Sequence, residues 1–414
     1  MENKYPMFIG GEKISSDQLI GVINPSNEQL IANIYNADVT LMKKSLISAN
    51  DGFEKWSSFT PIKRKEIILR YADILEKNKE KLIDLLILET GKPKENADYD
   101  FGMLITCLRF FIEEYERLDQ PVIHDPDDRF LHYMQRQPVG VVVGFLAWNF
   151  PLLNLGYKLG PTLASGCSCI LKPSELTPLA TLEAVYLANE AGIPKGVINV
   201  ITCDDYSITN VLLKSDIPSL VTMIGSTQGG IEVMKASCSS IKRFSVELGG
   251  NSPVIVYPDA DIKSAAEKIV GLKYVNTGQV CVSPNRCFVH RLVYDEFIHE
   301  VLTCVKNIEM GPMITSEARN KVLSLIKSAK ESGAKIIYGG NIIDKPGYFM
   351  EPTVIKDVEQ SMSIASDEVF GPAPEGVNYK ENDRYNSTNP YSASKAGAEE
   401  LVVAYENTYK LPAI

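Results

Sequence analysis

The sequence predicts an α/β protein organised around a parallel sheet of the dinucleotide-binding kind, and three observations carry that expectation. From Val139 onward, apolar β-rich runs VVVGFL (141–146), SCILK (168–172), VINVI (197–201) and LVTM (220–223) alternate with helical segments near 152–165, 178–191 and 207–214. Strands spaced by helices in this way pair in parallel, because a parallel neighbour needs a long crossover. A second α/β stretch follows from Ser252 to about Pro372, with PVIVY, helices at 261–275 and 315–332, and KIIYGG. The chain has 414 residues, 45% of them hydrophobic, enough for two or three domains with their own cores. A GxGxxG fingerprint is absent.

The earlier elements follow from local signals. Residues 1–35 read as short strands and turns, punctuated by FIGGE and NPSNEQ. Asp38 can cap a helix running to about Phe59, and Thr60-Pro61 sets a cap and a first-turn proline for the next. In that second helix Ile67, Ile68, Tyr71, Ile74 and Leu75 keep helical spacing. A helix from Lys79 to Thr90 stops at Gly91-Lys92-Pro93, and a further one covers about 96–118. HDPDDR (124–129) makes a turn before LHYMQRQ, which alternates as an exposed strand.

Composition narrows the function classes. The net charge of −10 is spread along the chain, which argues against a nucleic-acid partner. Eight cysteines show no CxxC spacing, and Cys167 and Cys169 alternate across an expected strand, suiting neither zinc nor a disulfide. No metal site is expected, and the compartment reads as a reducing cytoplasm. The start, MENKYPMFIGGEK, lacks the apolar core of a signal peptide, and no run of about 18 apolar residues would span a membrane.

The chemistry concentrates between Val246 and Arg286, in VELGGNSP and NTGQVCVSPNR. These set Glu247 and Cys281 on either side of one helix, each beside glycine-bearing turns that let backbone N–H groups approach a ligand. Cysteine is a strong nucleophile once a base or an electropositive site assists it. A lone cysteine is more often a small buried hydrophobe; the two strings together weigh against that. They resemble the two active-site signatures of the NAD(P)-dependent aldehyde dehydrogenases, and by order of motifs the resemblance covers about residues 5–372.

The resemblance implies specific roles. AWNFP (147–151) matches the motif whose asparagine donates an amide N–H to the oxyanion, here Asn149, with Trp148 carried over to the cofactor side. A preorganised donor of this kind is typically worth ~3–4 kcal/mol in the transition state. LKPSE (171–175) puts Lys172 and Glu175 on the adenosine ribose. A carboxylate there accepts both ribose hydroxyls and repels a 2′-phosphate, so NAD is expected ahead of NADP. IGSTQGG (224–230) opens a helix whose N-terminus, with Gly225 and Ser226, would take the pyrophosphate. Glu247 matches the general base and Cys281 the nucleophile. DEVFGP (367–372) places Glu368 on the nicotinamide ribose and Phe370 against the nicotinamide ring. The implied reaction is oxidation of a small aliphatic aldehyde or semialdehyde through a thiohemiacetal and a thioester on Cys281. The four histidines share no motif, which leaves a Cys-His protease without support.

The sequence also departs from the family pattern. VKNIEMGPMI runs straight through where relatives carry a loop, at about Asn307–Glu309. After Pro372 the expected remainder of the catalytic domain is missing. Residues 373–414 instead resemble an extended short-chain dehydrogenase of the nucleotide-sugar type, with Tyr391 and Lys395 one helical turn apart in NPYSASKAGAE. The expectation is a chimera: dinucleotide-binding residues 1–122 and 142–248, an exposed hairpin at 123–141, a truncated catalytic domain at 249–372, and a foreign tail at 373–414 forming a helix from Tyr391 to Tyr409. A sheet cut at Pro372 would leave an unpaired edge, set against the homo-oligomer usual for the family. A catalytically impaired NAD-binding remnant and a nucleotide-sugar dehydrogenase are the competing functions.

Overall fold

Local caps set the first helices, as the sequence indicates. Asp38 accepts the Leu41 N–H at 2.8 Å to begin Val39–Ser57, and Thr60 accepts the Lys63 N–H to begin Pro61–Lys77 with proline in the first turn. The helix Lys79–Thr90 ends on Gly91 in the left-handed region (φ 69°), and Lys94–Glu116 follows directly. The structure, a computed structural model, describes residues 3–373 and 375–377. Among them no helix is long and apolar enough to cross a membrane.

A seven-stranded sheet forms the larger half. Across it the strands run Arg243–Glu247, Pro218–Ile224, Val141–Phe145, Ser168–Lys172, Ile198–Val200, Met7–Ile9 and Glu12–Ile14. The first five are parallel, with Val141 opposite Ser168 and Ile224 opposite Glu247; the last two attach antiparallel. Its parallel part starts at the Val141–Phe145 strand, builds outward on one side, then crosses to the other. The reversal lies between Val141–Phe145 and Pro218–Ile224, where open α/β sheets bind ligands beyond the carboxyl ends of their strands.

Both faces of this sheet are covered, so its central strands are buried throughout and mostly apolar. Val142, Cys169 and Leu171 pack into one core with Trp56, Tyr71 and Leu104, while Val141, Val143, Phe145 and Ile170 pack into another with Leu46 and Leu212. The two large aromatics also satisfy their polar ends: Trp56 Nε1 donates to Leu163 O and Tyr71 Oη to Ala184 O, each at 2.9 Å. Cys167 and Cys169 are buried free thiols. Smaller pieces complete this half: the sheet of Lys4–Tyr5, Gln29–Tyr35 and Leu19–Asn24, and a ribbon of Val122–Ile123 with His132–Tyr133. Only two residues of LHYMQRQ pair, because the ribbon stands exposed with no third strand beside it.

The second sheet corrects an expectation. Its order is Pro253–Val256, Arg286–Val289, Glu375–Val377, Val354–Val358, Lys335–Tyr338. Residues just after Pro372 therefore do supply a strand, and it is the central one, parallel to both neighbours, with Arg286 and Ile355 opposite Glu375. The physical reason is that two flanking strands offer backbone donors and acceptors on both sides, which overrides the weak strand propensity of Glu-Gly-Val. The sheet is not cut at Pro372. Tyr391, Lys395 and the expected Tyr391–Tyr409 helix lie outside the described residues.

Gly376→Pro tests this strand, since proline removes a ladder N–H from a doubly flanked position. Stability to urea should fall by about 1–3 kcal/mol. An unchanged midpoint would mean that 375–377 does not hold the sheet together.

Candidate active site

The strand ends deliver the site. Glu247 is the last residue of Arg243–Glu247, and its carbonyl accepts the Gly225 N–H at 3.0 Å. Cys281 follows a tight reversal in which Asn276, Thr277 and Gly278 are all left-handed (φ 48°, 60° and 74°). Gly278 must be glycine for a second reason: a Cβ there would collide with the Gly371 carbonyl. The NTGQVC loop thus sits backbone to backbone on the VFGP turn, where Phe370 is itself left-handed (φ 49°). Gln279 fixes the loop further, accepting the Ile314 N–H at 2.9 Å and donating to Asn276 O at 3.0 Å.

Asn149, 6% exposed, has its carbonyl and both side-chain polar atoms hydrogen-bonded. Its carbonyl accepts from Lys92 Nζ (2.8 Å) and Asn276 Nδ2 (3.0 Å), and its Oδ1 accepts from the Phe150 N–H (3.1 Å) and Asn154 Nδ2 (3.3 Å). Its Nδ2 donates to Gln279 O at 3.0 Å, two residues before Cys281. An amide nitrogen carries two hydrogens, so a second remains for another acceptor. Behind it, Lys92 and Asp100 form an ion pair at 2.8 Å with both side chains fully buried. Burial pushes the Lys92 ammonium down and the Asp100 carboxyl up; each opposes that shift in the other. The remaining bonds are made too. Lys92 Nζ lies 4.2 Å from the Phe150 ring centroid, and Asp100 accepts the Leu153 N–H at 2.7 Å.

The Cys281 thiol is pushed above the ordinary cysteine value, first by partial burial and then by the Glu368 and Glu247 carboxylates. The N–H groups of Cys281 and Val282 work in the other direction. Glu368 leans onto the VELGG turn, accepting the Gly250 N–H at 3.3 Å, and a Cβ at Gly249 would collide with its carboxylate. Burial raises the Glu368 carboxyl. Lys158, on the helix Pro151–Ala164, is 6% exposed; burial lowers its ammonium and the nearby Glu247 charge opposes this. Burial raises the Tyr157 phenol, and Cys107, Tyr99, Cys281 and Glu247 act in the same direction.

The remaining expected residues lie along the same strand ends. Trp148 meets Phe370 edge-to-face at 5.4 Å, so AWNFP and DEVFGP converge. Lys172 closes Ser168–Lys172 and bonds Glu175 Oε2 at 3.2 Å. Tyr206 donates to both Glu175 oxygens, at 3.1 and 3.2 Å. Gly225 precedes Ser226, whose Oγ caps Thr227–Ala236 by accepting the Gly229 N–H at 3.1 Å. Among the described residues no group of three or more His, Cys, Asp or Glu could hold a metal. Sequence reasoning missed Lys92, Asp100, Asn276, Lys158 and Tyr206. A lone lysine inside the apolar run LLNLGYKLG was the available signal for Lys158; Lys92 was masked by its place in a helix-terminating Gly-Lys-Pro.

Two outcomes follow from this geometry. Lys92→Met should cost about 3–5 kcal/mol, because Asp100 is left buried without its partner. Lys92→Met combined with Asp100→Asn should cost clearly less; equal urea midpoints for the two variants would contradict the pairing. Without cofactor, alkylation of Cys281 should accelerate with pH through a midpoint above that of an ordinary cysteine. Glu368→Gln should lower that midpoint, since it removes a negative charge that disfavours the thiolate. A midpoint at or below the ordinary value in the unmodified protein would overturn the electrostatic account.

The sequence matches the model of the family described as "Aldehyde dehydrogenase family" over residues 13–384. It is 38% identical over 381 residues to succinate-semialdehyde dehydrogenase [NADP(+)] 2 of Schizosaccharomyces pombe, covering 88% of this chain and 77% of that protein. It is 36% identical to the mitochondrial succinate-semialdehyde dehydrogenase of Arabidopsis thaliana, covering 90% of this chain and 73% of the relative. A solved structure of betaine aldehyde dehydrogenase from Staphylococcus aureus, in complex with NAD+, superimposes with a TM-score of 0.87 at 32% identity, covering 91% of this chain and 80% of that one. The family match runs past Pro372, in keeping with the central strand at Glu375–Val377. The chain therefore belongs to the aldehyde dehydrogenase family and is an NAD(P)-dependent oxidoreductase of aldehydes.

Proposed function

We propose that this enzyme oxidises a small aliphatic aldehyde or semialdehyde to the carboxylic acid, with NAD preferred and a thioester on Cys281 as the intermediate. The observation that carries the reading is the convergence of the Cys281 loop, the Asn149 amide and the Glu247 carboxylate. The residues present suit a dinucleotide. Ser226, Thr227 and Gln228 are exposed at a helix start, where first-turn N–H groups lack intrahelical partners and favour a pyrophosphate. Lys172 and Glu175 would hold the adenosine ribose, and Trp148, Glu368 and Phe370 the nicotinamide end. When bound, the cofactor supplies the hydride acceptor.

The chain's own residues do the rest. Cys281 Sγ, as thiolate, adds to the aldehyde carbon. The oxyanion that forms takes the free Asn149 Nδ2 hydrogen and the Cys281 N–H, an arrangement worth roughly 3 kcal/mol. Once the carbon is oxidised, the acyl group remains on Sγ. Glu247 then removes a proton from a water that attacks it, freeing the acid and the thiolate. Relatives named for semialdehydes support the substrate class. Free cysteines suit a reducing compartment. Residues 385–414 lie beyond the family match, and their Tyr391 and Lys395 have no part in this chemistry.

Rapid-mixing measurements of NADH with short aldehydes and succinic semialdehyde test the reading. Cys281→Ala should abolish both burst and turnover; normal rates in that variant would overturn the mechanism. Glu247→Gln should keep a burst while slowing steady turnover by roughly 10²-fold or more. NAD binding without NADH production from any aldehyde would leave the impaired-remnant reading instead. Tyr391→Phe should match the unmodified chain.

A further inference from the structure

Glu175 is not free in its loop. Tyr206, the first residue of Tyr206–Lys214, reaches across from the next crossover and places its hydroxyl between the two carboxylate oxygens. Its backbone is anchored by Asp205, which accepts the Ser207 N–H at 2.8 Å. Lys172, 3% exposed, closes the third side: its ammonium bonds Glu175 Oε2 and lies 4.6 Å from the Tyr206 ring centroid. The tyrosine ring is 59% exposed while its hydroxyl is turned onto the carboxylate.

We propose that Tyr206 is a specificity-determining positioning residue, holding Glu175 in the one orientation that accepts a ribose hydroxyl and rejects a 2′-phosphate. This rests on the assignment of Glu175 to the adenosine ribose. A carboxylate has about four acceptor sites. Tyr206 bridges the two oxygens and Lys172 takes a further site on Oε2, which leaves the outer side of Oε1 for a ribose hydroxyl. Loss of the tyrosine hydroxyl returns rotamer freedom to a long side chain. When Glu175 turns away, the Lys172 ammonium is uncovered and would meet a 2′-phosphate as a favourable cation.

The test measures dissociation constants of NAD and NADP by calorimetry for the unmodified protein, Tyr206→Phe, Glu175→Gln, and the double variant. Expected is a ratio Kd(NADP)/Kd(NAD) well above one, lowered roughly tenfold by Tyr206→Phe, in line with a hydrogen bond to a charged group. The double variant should show no further change beyond Glu175→Gln, because the tyrosine acts only through the glutamate. If Glu175→Gln narrows the ratio while Tyr206→Phe matches the unmodified protein, the role given to Tyr206 is wrong and the ribose assignment stands. If Glu175→Gln leaves the ratio unchanged, the assignment itself falls and the proposal with it. Additive effects in the double variant would also overturn it, since Tyr206 would then touch the cofactor directly.

Discussion

The site depends on one backbone carbonyl. Asn149 O accepts at once from a buried ammonium in the link between two N-terminal helices and from Asn276 on the reversal that leads to Cys281. A charged donor in a water-excluded place is a strong hydrogen bond, but only if the charge is compensated. Asp100 compensates Lys92 and, with its other oxygen, holds the Leu153 N–H of the helix that follows Asn149. Three segments distant in sequence are thereby locked around the amide that faces the Cys281 loop.

The turns around the cysteine loop pack closely on one another at this point. Gly278 lies against Gly371, and Gly249 against Glu368, so the cysteine loop, the VELGG turn and the VFGP turn are mutually registered. Trp148 against Phe370 extends the contact toward the cofactor side. A preorganised site needs such support, because displacement of a catalytic group by about 1 Å is enough to slow a reaction by roughly 10²-fold. The strand Glu375–Val377, central in the second sheet, connects Arg286–Val289, the strand that follows the cysteine loop, to Val354–Val358.

Much of this was legible in the sequence wherever the signal is local. Asp38, Thr60 and Gly91 announce helix ends by their own chemistry, and the largely apolar VVVGF and SCILK runs announce strands covered on both faces. Two reactive residues flanked by glycines, Glu247 and Cys281, stood out for the same reason. What escaped were roles assigned by distant partners. Gly-Lys-Pro reads as a helix stop, and nothing local says that its ammonium meets Asn149 across 57 positions of chain. Glu-Gly-Val has little strand character of its own and becomes a strand because the sheet leaves a place between two partners. The expected break at Pro372 came from the polar, turn-rich residues after it, and the strand at Glu375–Val377 and the family match to residue 384 both run past it.

The most direct test of this account is the NADH burst in the combined Lys92→Met, Asp100→Asn variant, with NAD affinity measured on the same sample. The double substitution removes the charged donor to Asn149 O without stranding a buried charge. The account predicts a folded protein with near-normal NAD binding and a burst slowed by about 10–100-fold. A burst as fast as that of the unmodified enzyme would show that Asn149 holds its position without the buried pair.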